Sequence, residues 1–155
     1  MATAVATLLE ELGGKPPALE AIEAEARAHI EDPSLGLVLV AQVSSQKSAD
    51  SAENCELGGE GAGLVGVLTA SWARAIQVAG RLLTIEVLWT RREWRDRGVG
   101  AGLVDALAAA AAAEGAGRVE VGLPREGFSA LRATERFYLA NGFERLGPRM
   151  RRAVP

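Results

Sequence analysis

Apolar residues along this chain recur in two rhythms, one of three to four positions and one of two, and the order in which they alternate sets the expected elements. Ala2 to Leu12 predicts a short helix ended by Gly13-Gly14, and Pro16-Pro17 opens a second. In that second helix Leu19, Ile22, Ala26 and Ile30 recur at helical spacing until Asp32-Pro33 stops it. Gly36 to Val43 (GLVLVAQV), Leu64 to Trp72 (LVGVLTASW) and Leu82 to Trp89 read as strands. Ser44 to Gly63, rich in Ser, Gly, Ala and Glu, is too polar to pack and too long for a tight hairpin, so a mobile loop is expected there.

The second half continues with a helix over Ala101 to Glu114, whose Leu103, Val104, Leu107 and Ala111 share one face before Gly115. Its alanine run is structural, since alanine is the best helix former and a slim helix lies close to a sheet. A strand at Arg118 to Leu123 and a helix at Leu131 to Asn141 follow. Phe143 to Leu146 and Arg149 to Val154, split by Gly147-Pro148, predict a closing hairpin. The order α-α-β-β-β-α-β-α-β-β is that of an α+β domain spanning residues 1–155. Residues 1–33 form its helical N-terminal part, and it contains one βαβ crossover.

Composition narrows the chemistry. The chain has 155 residues, 48% hydrophobic and 24% charged, with no apolar run long enough to span a membrane. Met1 to Leu9 lacks the basic start of a signal peptide, so a cytoplasmic location with no membrane partner is expected. Cys55 is the only cysteine and His29 the only histidine, too few for a Cys/His metal cluster, and no metal is expected. His29 lies on the second helix with nothing near it in sequence to orient it, and reads as a packed or solvated histidine.

The net charge of −3 conceals an asymmetry. Residues 1–79 hold 4 Lys+Arg against 11 Asp+Glu, giving −7, whereas residues 80–155 hold 13 against 9, giving +4. All 13 of those cations are arginine, and Arg91, Arg92, Arg95 and Arg97 fall within seven residues. That concentration suits a small phosphorylated ligand. Nucleic acid would call for a stronger basic excess with aromatic residues interleaved, so no nucleic-acid partner is expected.

The arginines run into Arg95-Asp96-Arg97-Gly98-Val99-Gly100 and then directly into the Ala/Leu/Val-rich helix. The first turn of a helix has amide groups without intrahelical partners and the positive end of the macrodipole, which together attract anions. Glycines remove the Cβ atoms that would hold an anion away from those amides. A dinucleotide fingerprint would require glycine at 103, and Leu103 stands there.

Two motifs then carry a resemblance. Ile85-Glu86-Val87-Leu88-Trp89 with Arg95-Asp96-Arg97-Gly98-Val99-Gly100, followed by Phe137-Tyr138-Leu139-Ala140-Asn141-Gly142-Phe143, resembles the GNAT N-acetyltransferase superfamily over about residues 34–154. The family's loop has the form Gln/Arg-x-x-Gly-x-Gly/Ala and its later element Phe-Tyr-x-x-x-Gly-Phe, and both are matched. The pattern is closest to the diamine and spermidine/spermine branch, whose strand carries an acidic pair where this chain has Glu86-Val87. Leu131 replaces an Asn found seven residues before the tyrosine in many relatives.

The resemblance implies a central mixed, mostly antiparallel sheet flanked by helices, with the pyrophosphate loop on the βαβ crossover. It implies acetyl-CoA as co-substrate and direct transfer of an acetyl group to a primary amine on a small molecule or peptide. A bulge at Leu88, Trp89 or Thr90 would supply the amide that polarises the thioester, and Leu88 and Thr90 would pair with the pantetheine arm. Arg95, Asp96, Arg97, Gly98, Val99, Gly100 and Ala101 would hold the pyrophosphate, with Glu86 as general base, directly or through water, and Tyr138 as general acid toward the leaving thiolate. Glu86 as a mere attractor of a cationic substrate, Tyr138 as a core aromatic, a catalytically silent acyl-CoA-binding module, and a different acyl group or acceptor are the alternatives. The family's usual first strand is absent from the pattern, so either a trimmed sheet or a homodimer completing its edge is expected.

Overall fold

Strand periodicity in four segments produces one sheet, whose open end creates the site. The computed structural model describes residues 1–43 and 63–147. Within them the order is α1 (Ala2–Glu11), α2 (Leu19–Glu31), β1 (Gly36–Gln42), β2 (Leu64–Ala75), β3 (Gly80–Thr90), α3 (Val99–Ala113), β4 (Arg118–Val121) and α4 (Leu131–Ala140). The strands lie in the order β1-β2-β3-β4, antiparallel except for the parallel β3/β4 pair that α3 connects. This is the expected mixed, mostly antiparallel α+β arrangement with one βαβ crossover.

The sheet buries both faces. On one, Leu68, Ala70, Leu83 and Ile85 pack under Leu103, Val104, Leu107 and Ala111 of α3, with Tyr138 of α4 in the same cluster. On the other, Val87 packs with Ala2 and Val5 of α1 and Ile22 of α2. The first cluster holds Leu68, Leu83 and Leu107 at zero exposure and supplies most of the apolar burial.

Several boundaries differ from the sequence pattern for local reasons. β2 continues past Trp72 to Ala75, because Ala73, Arg74 and Ala75 still pair with Leu82, Arg81 and Gly80. A 3-10 turn at Ile76–Val78 and a left-handed Ala79 (φ 51°) close that hairpin. β4 stops at Val121, two residues short of expectation, since its last pair with β3 is Ile85↔Val121.

The expected strand at Phe143 to Leu146 is absent, because α4 claims that segment. The Phe143 N–H donates to the Tyr138 carbonyl after Gly142 turns left-handed at φ 81°, and Arg145 Nε pairs with Glu135 Oε1 at 2.7 Å. The other half of that hairpin, Arg149 to Val154, lies outside the described residues, as does nearly all of the expected loop at 44–63. Among the described residues the outer edge of β1 has no partner strand, and no helix is long and apolar enough to cross a membrane.

Candidate active site

Parallel pairing between β3 and β4 covers only Leu82 to Ile85 on β3, although that strand continues to Thr90. Beyond Ile85 the two strands part, and a cleft of about 570 Å³ opens between them and runs to the start of α3. Its volume is in the range of small-molecule sites. Glu86, Tyr138, Leu88, Trp89, Thr90, Arg95, Asp96, Gly98, Gly100 and Ala101 all line it. Arg97 and Val99 do not. Arg97 lies over the Trp94 ring at 5.3 Å, and Val99 faces Gly66 and a separate shallow depression.

A bulge determines where Glu86 points. Thr69 pairs with Val87 and the next residue, Ala70, pairs with Ile85, so Glu86 is the extra residue on β3. The bulge was expected at Leu88, Trp89 or Thr90. Those residues instead pair regularly with Leu68, Val67 and Gly66, and on the β4 side they have no strand partner among the described residues. Because of the bulge, Glu86 and Val87 both project toward the α1/α2 face. Val87 packs into the cluster there, and the Glu86 Oε1 accepts a hydrogen bond from the Ser71 hydroxyl at 2.7 Å. The Glu86 side chain is exposed.

Tyr138 reaches the cleft from the opposite face. Its ring is buried, making edge contacts with Phe137 and Phe143, each 5.2 Å between centroids. Burial pushes its phenol up to about 12. The hydroxyl therefore stays protonated throughout the ordinary pH range, a proton donor held at the cleft wall.

The far end of the cleft is an uncapped helix start. Gly98 sits at the N-cap of α3 with φ 79°, no side chain caps the helix, and the first turn has no acidic residue. The first intrahelical bond is Gly102 N–H to the Gly98 carbonyl, so the amides of Val99, Gly100 and Ala101 precede the helical ladder. A Cβ at Gly100 would come within 3.3 Å of the Phe137 ring and 3.7 Å of Thr90 Oγ1. The left-handed φ at Gly98 and the close approach at Gly100 both favour glycine there.

Arg95 is positioned by two partners. Its Nε donates to the Thr90 carbonyl at 3.2 Å, and its Nη2 donates to both Glu11 oxygens at 3.3 and 3.0 Å. Glu11, at the end of α1, lines the same cleft and was not singled out from the sequence. Nor was the environment of His29. Gly36 leaves room for its imidazole, whose Nε2 lies 3.2 Å from the Ser71 oxygen. Thr69 and Ser71 alternate with the apolar Leu68 and Ala70, a polar stripe that marks this face in the sequence. Of the three tryptophans, Trp89 and Trp94 line the cleft, while Trp72 donates to the Pro33 carbonyl and lies under Arg81. Among the described residues no group of three His, Cys, Asp or Glu side chains could hold a metal ion.

These features correspond to a recognised architecture. The Acetyltransferase (GNAT) domain family matches residues 52–145. No curated protein sequence matches significantly. Solved structures do, at low identity: a possible acetyltransferase from Clostridium difficile 630 has a TM-score of 0.72 at 15% identity, covering 99% of this chain and 88% of that one. An aminoglycoside acetyltransferase from an uncultured soil metagenomic sample has 0.67 at 20%, covering 100% and 90%. A predicted acetyltransferase with acetyl-CoA from Clostridium acetobutylicum has 0.68 at 13%, covering 98% and 86%. With a domain match over more than half its length, and a sheet that parts beside a glycine-started helix, this chain belongs to the GNAT acetyltransferase family.

Proposed function

We propose that the protein transfers an acetyl group from acetyl-CoA directly to a primary amine in the cleft between β3 and β4. The observation that carries this reading is the convergence of Glu86, Tyr138 and the uncapped start of α3 on one cleft, the two side chains arriving from opposite faces of the sheet. Acetyl-CoA would supply the acetyl group as a thioester, activated toward an amine. The amides before Gly102 and the Arg95 guanidinium would hold its pyrophosphate, and the unpaired edge of Leu88, Trp89 and Thr90 would lie along its pantetheine arm.

Glu86 removes the proton from the incoming ammonium, directly or through water, so that the nitrogen lone pair is free to attack. Tyr138 gives its proton to the departing sulfur. At about 12 its phenol is a weaker acid than a thiol of about 8.5, so burial makes full transfer uphill. The hydroxyl stabilises the charge developing on sulfur by hydrogen bonding, and the transfer is completed as the phenolate takes back a proton from solvent. The second acid of the diamine-type strand corresponds to Val87, which is packed among Ala2, Val5 and Ile22. An acceptor with a single primary amine therefore fits this strand better than a dication held by paired carboxylates.

The test is steady-state turnover of Glu86→Gln and Tyr138→Phe, scored by thiol release. Each substitution lowers kcat by about 100-fold or more and leaves acetyl-CoA affinity within about twofold. An undiminished kcat removes the substituted residue from the mechanism.

A further inference from the structure

Ser71 and His29 extend the site beyond Glu86. The Glu25 carbonyl oxygen, the His29 ring, the Ser71 hydroxyl and Glu86 Oε1 form one continuous chain with steps of 3.0, 3.2 and 2.7 Å. A carbonyl only accepts, so His29 Nδ1 carries the hydrogen and, in a neutral ring, Nε2 is the bare acceptor. Serine has one hydrogen. With Glu86 ionised and His29 neutral, that hydrogen serves either Glu86 or Nε2, and the remaining contact sets two acceptors against each other.

One additional proton completes the chain in either of two forms. On Nε2 it makes an imidazolium that donates to Ser71 while Ser71 donates to Glu86. On Glu86 it makes a carboxylic acid that donates to Ser71 while Ser71 donates to Nε2. We propose that His29 and Ser71 are positioning residues that relay the substrate's proton away from Glu86. The inference rests on Glu86 being the general base.

In the step, an N–H bond of the ammonium breaks and an O–H bond forms on Glu86. The Glu86 proton passes to the Ser71 oxygen as the Ser71 proton passes to His29 Nε2. The amine keeps the electron pair that attacks the thioester, Glu86 is again a carboxylate, and the positive charge resides on His29. The His29 side chain is only 10% exposed, which by itself disfavours a charge, and the Glu25 carboxylate oxygen 3.6 Å from Nδ1 offsets that cost. β1, on which α2 rests, has no titratable residue. Of the acids that α1 brings against α2, Glu10 is on the outer surface and Glu11 is held by Arg95.

As the only histidine in the chain, His29 can be followed by long-range 1H–15N NMR without assignment. The neutral ring is expected in the Nδ1–H form, because Nδ1 faces the Glu25 carbonyl oxygen, which only accepts. With spermidine, lysine and kanamycin as acceptors, Ser71→Ala and His29→Gln lower kcat about 10-fold at pH 7 with the acetyl-CoA KM unchanged. Added imidazole restores part of the rate to His29→Ala. A neutral ring in the Nε2–H form overturns the relay. So does full activity of Ser71→Ala and His29→Gln when Glu86→Gln is slow, a result that leaves Glu86 as base. Full activity of Glu86→Gln overturns the base assignment and the relay together.

Discussion

Arg95 has a carboxylate partner in the cleft that its proposed ligand must displace, so substituting Glu11 should tighten acetyl-CoA binding while loosening the fold. In Glu11→Gln the charged half of a bidentate contact at 3.0 and 3.3 Å is removed, whereas the bond from Arg95 Nε to the Thr90 carbonyl remains to orient the guanidinium. Both side chains are part exposed, 41% for Arg95 and 37% for Glu11, so the pair is worth about 0.2–1 kcal/mol after solvent screening. The pyrophosphate no longer has to break that contact. Dissociation constants should therefore fall by about 1.4- to 5-fold, since 1.4 kcal/mol is a factor of ten. The same loss releases the end of α1 and lowers Tm by about 0.4–4 °C for a chain of this size. Isothermal titration with acetyl-CoA at low and high salt reads the first effect, and the gain should shrink with salt as both contacts are screened. An unchanged or weaker affinity refutes the placement of the pyrophosphate at Arg95.

Other consequences follow from the same geometry. Burial raises the Tyr138 phenol to about 12, so activity should show no loss from its ionisation up to pH 10. The unfolded chain ionises this tyrosine near 10 and the folded chain near 12, so the stability present below pH 10 is lost between pH 10 and 12. That loss is up to about 3 kcal/mol and should be missing in Tyr138→Phe when the two are compared by urea denaturation across that range. Gly36→Ala would drive a Cβ into the Ala70 carbonyl oxygen and to 2.7 Å from His29 Cδ2, so it should destabilise the fold by more than 1 kcal/mol and displace the His29 NMR signals. Gly98→Ala keeps open space around the new methyl group but places it at φ 79°, costing about 1–2 kcal/mol in thermal unfolding.

Periodicity located the four α-helices and four strands of the described residues, and missed the short 3-10 turns at Ile76–Val78 and Arg92–Trp94, which are too brief to show a period. It failed where neighbours decided the outcome. Phe143 is apolar and its neighbours alternate, yet its N–H is taken by the Tyr138 carbonyl and its ring by Tyr138, so no strand forms. The end of β4 depends on where β3 diverges, which no property of Arg118 to Leu123 encodes.

The cleft residues were legible where a local motif dictates the backbone, as at Gly98 and Gly100. Contacts between distant segments were not. Glu11 meets Arg95 across 84 positions, and His29 meets Ser71 across 42. The bulge was assigned two to four residues too late, because a bulge is a property of register with β2, and β3 gives no sign of it in composition. Its true position explains why Glu86 and Val87, adjacent in sequence, share a face and yet divide into a polar site residue and a core residue.

The central claim is amine-dependent acyl transfer from the cleft where β3 and β4 part. Thiol release by the wild-type chain at saturating acetyl-CoA, across polyamines, amino acids, aminoglycosides, a lysine peptide and a peptide N-terminus, tests it most directly. The account predicts release above the amine-free rate with at least one of these, matched by a product heavier by one acetyl group and abolished with the amine omitted. Tight acetyl-CoA binding with no amine-dependent release from any of them would contradict it and identify a binding module without chemistry.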